Sequence, residues 1–188
     1  MSIFPAPESL AEAASALDAS AVMARISRFR TSTWRMLTTL VSPPDDVLVA
    51  QLARGAFTVD LLREVRWLGE AWYPEGIRSL RVLETQAHAD AADVARELNT
   101  RRVAAEPEID DLAEACAAVH RLCADELAAW SAEREDEAKQ LRMAQLDLLS
   151  PVSPIRHLAR AVAEPSGAHY PAFAGLVLDY LALETGQG

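Results

Sequence analysis

The chain has 188 residues, a hydrophobic fraction of 51% and a formal net charge of −10. This length fits one compact domain that buries roughly 70% of the surface of its unfolded chain, and the acidic balance argues against a nucleic-acid binder. The opening MSIFPAPESL lacks the basic start of a secretory signal, and no apolar run approaches the ~20 residues that cross a bilayer. We therefore expect one cytoplasmic domain over 1–188, with 1–20 loosely attached.

Helical periodicity is the only persistent pattern, and it begins with a weak helix predicted over 8–17. The second helix is clearer, because apolar residues at steps of three and four form one stripe and arginines take the other side. The stripe is Val22, Ile26, Phe29, Thr33, Leu37 and Leu40, and the arginines are Arg25, Arg28 and Arg35. At SPPDD, Ser42 is predicted to cap a short third helix that has the prolines in its first turn and runs to about Arg54.

Glycine and proline mark the helices of the middle of the chain. Gly55 is predicted to break the third helix, and the fourth to run from about Thr58 to between Gly69 and Pro74. The stretch from Ile77 to Asn99 is helical in composition, as one helix or two.

A long helix is predicted to begin at Glu106-Pro107-Glu108, with a buried stripe formed by Leu112, Cys116, Val119, Cys123, Leu127 and Trp130. Its two cysteines are interpreted as core residues rather than a disulfide or a metal pair. Further helices are predicted from the charged start Glu133–Lys139 and from Ser153-Pro154, and the last, Tyr170–Glu184, is expected at the centre of the core. With no strand-like alternation, the chain is predicted to be an all-α, single-domain bundle of roughly eight to ten helices.

The sequence lacks the usual patterns of catalytic and metal-binding sites. The chain has no glycine-rich phosphate loop and no HExxH spacing, and Glu84 and His88 are interpreted as a surface pair four residues apart. Asp110 and Asp111 form a loose DDxxE with Glu114 and lack a partner motif on a facing helix. No serine or cysteine lies in a nucleophile elbow. We therefore expect no enzymatic activity, no catalytic residues, no metal and no cofactor.

Three segments carry a family resemblance when they are taken in order. They are Arg28–Leu52 (RFRTSTWRMLTTLVSPPDDVLVAQL), Glu106–Leu122 (EPEIDDLAEACAAVHRL) and Gln145–Glu184. Together they resemble the TorD/DmsD/NarJ-type chaperones, which mature molybdenum oxidoreductases. The first is similar to that family's opening helix, two-proline turn and short following helix. The second is similar to its Glu-Pro segment, with Asp110-Asp111 where the family has Asp-His, and the third to its closing helices.

The resemblance implies a cytoplasmic chaperone that binds the twin-arginine signal peptide, or the apo form, of a molybdenum-containing oxidoreductase and aids cofactor insertion before export. Such a site needs carboxylates for the guanidinium groups and an aromatic or aliphatic groove for the apolar part. The predicted peptide-binding residues are Glu106, Pro107, Asp110, Asp111, Trp67, Trp72 and Tyr73. The aspartates equally suit a helix start, and the tryptophans equally suit a core.

Two other classes of function stay open on the sequence. A helical ligand-sensing or regulatory domain would enclose an apolar cavity for a small molecule. A metal or isoprenoid enzyme would cluster carboxylates on facing helices. Under the chaperone interpretation the partners are the catalytic subunit of a molybdenum oxidoreductase and its leader, with no nucleic acid and no stable membrane insertion.

Overall fold

The computed structural model describes residues 19–43, 45–65, 74–104, 106–163 and 170–186. These residues form nine helices and contain no strand, which confirms the all-α prediction. In chain order the helices are α1 (Ala19–Val41), α2 (Asp46–Ala53), α3 (Ala56–Val65), α4 (Pro74–Ala89), α5 (Ala91–Ala104), α6 (Glu106–Ser131), α7 (Glu135–Leu148), α8 (Pro154–Ala163) and α9 (Tyr170–Thr185). The helix predicted over 8–17 lies outside the described residues.

Helix α1 follows the predicted stripe. Five of the six stripe residues are buried, and Val22 is half-buried. Arg28 and Arg35 are exposed on the opposite side, as expected. The buried Thr33 satisfies its hydroxyl within the helix, by donating to the carbonyl oxygen of Phe29 at 3.0 Å. The polar member of the stripe therefore enters the core without needing a partner from another helix.

The start of α2 corrects the predicted cap. Asp45 has an extended backbone, and its carboxylate accepts a hydrogen bond from the backbone N–H of Leu48 at 2.7 Å. Ser42 instead donates to the carbonyl oxygen of Thr38 at 2.7 Å, so it belongs to the end of α1. A carboxylate gains more than a neutral hydroxyl from the positive end of a helix. The predicted capping by Ser42 is therefore wrong, and Asp45 is the capping residue.

Two short breaks separate neighbouring helices. Gly55 ends α2 with a φ of 66°, in the left-handed region that glycine enters without a steric penalty. Helix α3 then begins at Ala56, two residues before the predicted start. Between α4 and α5 the break falls at Asp90, whose carboxylate accepts from the backbone N–H of Asp93 at 2.9 Å. The stretch from Ile77 to Asn99 thus forms two helices.

Helix α9 packs against α1 in the core, and most of its apolar side chains are fully buried. Tyr180 of α9 is fully buried and meets two α1 rings edge-on, Trp34 at a centroid distance of 5.5 Å and Phe29 at 6.2 Å. Edge-to-face pairs of this kind add about 0.5–1.5 kcal/mol to what burial contributes. The predicted central position of the last helix is confirmed.

Helix α6 begins at Glu106 and buries its predicted stripe, apart from the half-buried Leu127. Both cysteines are fully buried and unpaired, which confirms that they are core residues. Burial raises the pKa of the Cys116 thiol to about 12. It raises the pKa of Cys123 still further, with the nearby Glu184 carboxylate adding to the effect.

Candidate functional site

An open groove of about 500 Å³ lies between α1, α2 and α3. Met36, Leu48, Phe57 and Leu61 form its apolar side and belong to the buried core. Its other described lining residues are Ser32, Arg35, Thr39, Asp45, Val47, Gln51, Ala56, Asp60 and Arg63. We call this feature the α1–α3 groove. A groove with an apolar side and otherwise mostly polar or charged lining residues suits a peptide segment that carries both kinds of side chain.

The two carboxylates of the groove retain capacity to accept further hydrogen bonds. Asp45 uses one oxygen to cap α2, and a carboxylate offers about four acceptor positions in all. Asp60 pairs with Arg63 at 3.2 Å, and both side chains are exposed. Exposed pairs contribute at most about 1 kcal/mol. A guanidinium group arriving from a partner can therefore exchange with Arg63 at little cost.

Helix α4 holds the corner between α2 and α3 in place. Glu84 is buried, and its Oε1 accepts from the backbone N–H of Thr58, in the first turn of α3, at 3.0 Å. One turn later, His88 Nδ1 lies 3.1 Å from the carbonyl oxygen of Ala53, at the end of α2, and serves as the donor. The interpretation of Glu84 and His88 as a surface pair is therefore wrong for Glu84, which is buried, whereas His88 is exposed. Both side chains bind the backbone of the corner because the face of α4 that carries them packs against it.

A buried polar cluster fixes α1 against α6. Glu126 of α6 is fully buried. Its Oε1 accepts from Ser27 Oγ at 2.8 Å and Arg30 Nη2 at 3.1 Å, both on α1, and from Trp130 Nε1 at 3.2 Å. Its Oε2 accepts from Gln145 Nε2 of α7 at 2.8 Å. These bonds determine the register of α1 along α6, and hence the place of the α1 wall of the groove.

The same cluster continues to α9. Arg142 donates through Nη1 to Gln145 Oε1 at 2.9 Å and through Nη2 to Glu184 Oε2 at 2.7 Å. Glu184 also accepts from the Tyr180 hydroxyl at 2.8 Å. Burial, followed by the Glu184 carboxylate, raises the pKa of Tyr180 well above its usual range. With its charges paired, the cluster acts as a structural tie between four helices.

None of the residues predicted to bind a peptide is among the described lining residues of the α1–α3 groove, and three of them fall outside the described residues. Glu106 is the first residue of α6, and Pro107 and Asp111 are exposed in its first turns. Asp110 is half-buried and has an interaction partner. Trp67, Trp72 and Tyr73 fall in 66–73, outside the described residues. The lining residues of the groove come instead from α1, α2, α3 and the turn before α2.

A second open groove, of about 550 Å³, lies between α3 and α4. Leu62, Ile77 and Val82 form its apolar part, and Arg78 and Arg81 give it a basic character. Its described lining residues include no carboxylate, so they offer an arginine-bearing segment no ion-pair partner. It is therefore less suited than the α1–α3 groove to the partner that the sequence predicts.

Glu126 is not among the residues predicted from the sequence, although its position along α6 indicates a buried polar contact. It lies three residues after Cys123 and four before Trp130, within the predicted apolar stripe. A carboxylate on such a stripe must find a buried partner, because an unpaired buried charge is very costly. The α1–α3 groove had no comparable signal, because its walls come from three helices whose relative placement is not encoded locally.

Among the described residues, no group of three or more histidine, cysteine, aspartate or glutamate side chains is arranged to hold a metal ion. None of the described helices combines the length and the apolar character needed to cross a membrane. The chain matches no protein-family model, no curated protein and no solved structure. The groove and the sequence resemblance are therefore the grounds on which a function is proposed.

Proposed function

We propose that the protein is a cytoplasmic assembly chaperone that binds the twin-arginine signal peptide of a molybdenum-containing oxidoreductase in the α1–α3 groove. The observation that carries this proposal is the position of the groove. Eight of its thirteen described lining residues belong to Arg28–Leu52, the segment with the first family resemblance. The open groove thus lies on one of the stretches from which the chaperone interpretation was drawn.

The chemistry of the groove matches the two parts of such a leader. Its apolar stretch can pack on Met36, Leu48 and Phe57, and its paired arginines can bind the carboxylates of Asp45 and Asp60 bidentately. The net charge of −10 also attracts a basic segment at long range. Because the charged groups stand in contact with solvent, this attraction is screened as salt is added.

The shape of the groove favours a peptide over a small apolar ligand. A small-molecule sensor would surround most of its ligand with apolar side chains. The α1–α3 groove is partly open to solvent, and its described lining includes two arginines and two aspartates. These charged groups can orient a charged peptide segment, and they offer no favourable contact to a small apolar molecule.

Calorimetric titration of the full chain with a twin-arginine leader peptide tests the proposal. We expect binding that weakens with salt, and at least a tenfold weaker affinity for the same leader with both arginines replaced by glutamine. A loss of this size follows because each charge-assisted hydrogen bond contributes about 1.5–3 kcal/mol. The absence of any heat, or equal affinity for the two leaders, would contradict the proposal.

Two pairs of substitutions locate the carboxylates that bind the leader. Asp45→Asn with Asp60→Asn removes both negative charges of the groove, while asparagine at position 45 still caps α2. Asp110→Ala with Asp111→Ala removes the pair predicted from the sequence, with thermal stability expected to stay within about 1 kcal/mol. If only the Asp45/Asp60 variant binds the leader more weakly, the leader's arginines bind in the groove. If only the Asp110/Asp111 variant does, they bind at the start of α6.

A matched pair of valines tests the apolar part of the site. Val47 lines the groove and is 61% exposed, and Val59 on α3 is 55% exposed but is not a lining residue. Val47→Ser is expected to weaken leader binding about threefold to tenfold, the scale of a lost apolar contact. Val59→Ser is expected to leave affinity unchanged. Equal affinities of both variants and the unmodified chain would show that the leader binds elsewhere.

A further inference from the structure

A local basic patch interrupts the acidic surface of the protein. Arg28 and Arg35 lie on the exposed face of α1, seven residues and therefore about 10 Å apart along the helix. Arg121 is exposed on the neighbouring α6. Within the described part of the chain, none of these three arginines forms an ion pair. Their charge is therefore available to a partner.

The pairing of α1 with α6 brings the arginines together. Arg30 lies beside Glu126, and Met23 and Ala24, earlier on α1, pack against the cluster of Ala129 and Trp130, later on α6. The two helices therefore run antiparallel, and Arg35 stands level with His120 and Arg121. Partial burial lowers the pKa of His120, and the positive charges of Arg35 and Arg121 lower it further. The pKa of this half-buried imidazole therefore depends on the charge of the patch.

We propose that Arg28, Arg35, His120 and Arg121 form a docking patch for a short acidic segment of a partner protein. Guanidinium groups bind carboxylates through two parallel hydrogen bonds, so three arginines fit two or three carboxylates. A segment of that length matches the roughly 10 Å between the two α1 arginines. This patch goes beyond the leader-binding proposal, because its ligand carries the opposite charge.

The surroundings of the patch favour a short segment over a large polyanion. Asp111, Glu114 and Asp125 are exposed on the same helix as Arg121. They and the net charge of −10 repel the extended negative surface of a nucleic acid or an anionic membrane. A short peptide interacts mainly with charges within the ~8 Å screening length of physiological salt. Asp125 lies within this length of Arg121, one turn away on α6. The three arginines outnumber it, so the peptide still meets a net positive charge.

The patch adjoins the α1–α3 groove, because Arg35 contributes to both. One partner can therefore place a basic, apolar segment in the groove and an acidic segment on the patch at the same time. Two sites on one partner raise the overall affinity through their effective concentration. The two sites are separable by experiment, since they bind peptides of opposite charge.

A peptide titration with matched arginine variants tests the patch. The probe is a blocked octapeptide with four glutamates, compared at low salt with the same peptide carrying glutamines. Arg35→Gln with Arg121→Gln is expected to weaken binding of the glutamate peptide at least tenfold. Arg54→Gln with Arg160→Gln changes the net charge equally at exposed positions, one directly after α2 and one on α8, and is expected to change affinity less than twofold. Equal losses of affinity for the glutamate peptide in the two double variants would overturn the proposal.

The titration of His120, followed by NMR and assigned with His120→Gln, locates the bound peptide. Carboxylates on the patch stabilise the imidazolium form, so the glutamate peptide should raise the pKa of His120 and the glutamine peptide should not. An unchanged pKa at saturation would overturn the proposal. Phosphatidylserine vesicles and duplex DNA are compared with the glutamate peptide. If either binds more tightly than the peptide, and Arg35→Gln with Arg121→Gln alone abolishes that binding, the proposal is overturned in favour of that ligand. Each of these results leaves twin-arginine leader binding to be judged separately.

Discussion

At the scale of single residues, Glu126 shows how one side chain can hold a helix in position. It accepts four hydrogen bonds, from donors on α1, α6 and α7. Desolvating its carboxylate costs several kcal/mol, which the charge of Arg30 and the neutral donors offset. Arg30 itself has no hydrogen-bond partner at Nε or Nη1 within the described residues. Its charge is therefore compensated mainly by Glu126.

Replacing Glu126 by glutamine is expected to lower the free energy of unfolding by about 3–5 kcal/mol, because the substitution leaves the Arg30 charge buried without a counter-charge. Urea denaturation followed by far-UV circular dichroism measures the change. The matched control is Glu137→Gln, which breaks the exposed pair with Arg134 and is expected to cost less than about 1 kcal/mol. Similar losses in the two variants would show that the buried pair contributes no more than the exposed one.

At the scale of helices, the corner between α2 and α3 is held by side chains from a third helix. The first turn of a helix has backbone N–H groups that need acceptors. Gly55, which precedes α3, has no side chain to provide one. Glu84, 26 residues away from Thr58 along the chain, supplies it from α4. The corner forms part of the α1–α3 groove, so α4 supports the groove without lining it.

Glu84→Ala is expected to lower the free energy of unfolding by about 1–2 kcal/mol, since the Thr58 N–H then loses its buried acceptor. Glu84→Gln keeps an acceptor oxygen and should cost less. Thr85→Ala, at the next and exposed position of α4, is the control and should stay within about 0.5 kcal/mol. Thermal denaturation of the three variants gives the order of their stabilities. A Glu84→Ala variant as stable as the control would mean that Thr58 finds another acceptor.

At the scale of the whole molecule, one buried apolar cluster includes residues of eight described helices, every one except α7. Helix α7 joins through a smaller cluster of Ala129, Trp130 and Ala138, and through the hydrogen bonds of Gln145 and Arg142. Because no helix has a core of its own, the described part of the chain should lose its structure in one step.

The reactivity of the two cysteines tests this cooperativity. Because burial raises the pKa of Cys116 to about 12, only about one thiol in 10,000 is ionised at pH 8, and the thiolate is the reactive form. Both thiols are expected to resist Ellman's reagent in the folded protein. During urea denaturation, their exposure should coincide with the loss of circular dichroism. Thiol exposure that clearly precedes this loss would show that the α6 core opens separately.

Local signals allowed much of the helical framework to be predicted. The period of apolar residues in α1 and α6, the Glu-Pro start at Glu106 and the break at Gly55 each depend on residues close together in sequence. The prediction of a cap at Ser42 failed because Asp45 offers a second capping side chain in the same turn. Glu84 was misinterpreted for another reason, since its partner lies 26 residues away.

The sequence by itself determined that the protein is helical, which faces of α1, α6 and α9 are buried and that both cysteines belong to the core, because periodicity and local caps act within a few turns of helix. Only the tertiary structure decided the partners of Glu126, the α1–α3 groove and the basic patch between α1 and α6. Each depends on the register and the angle at which separate helices pack. Those quantities follow from the fit of many side chains at once, which no local pattern of residues records.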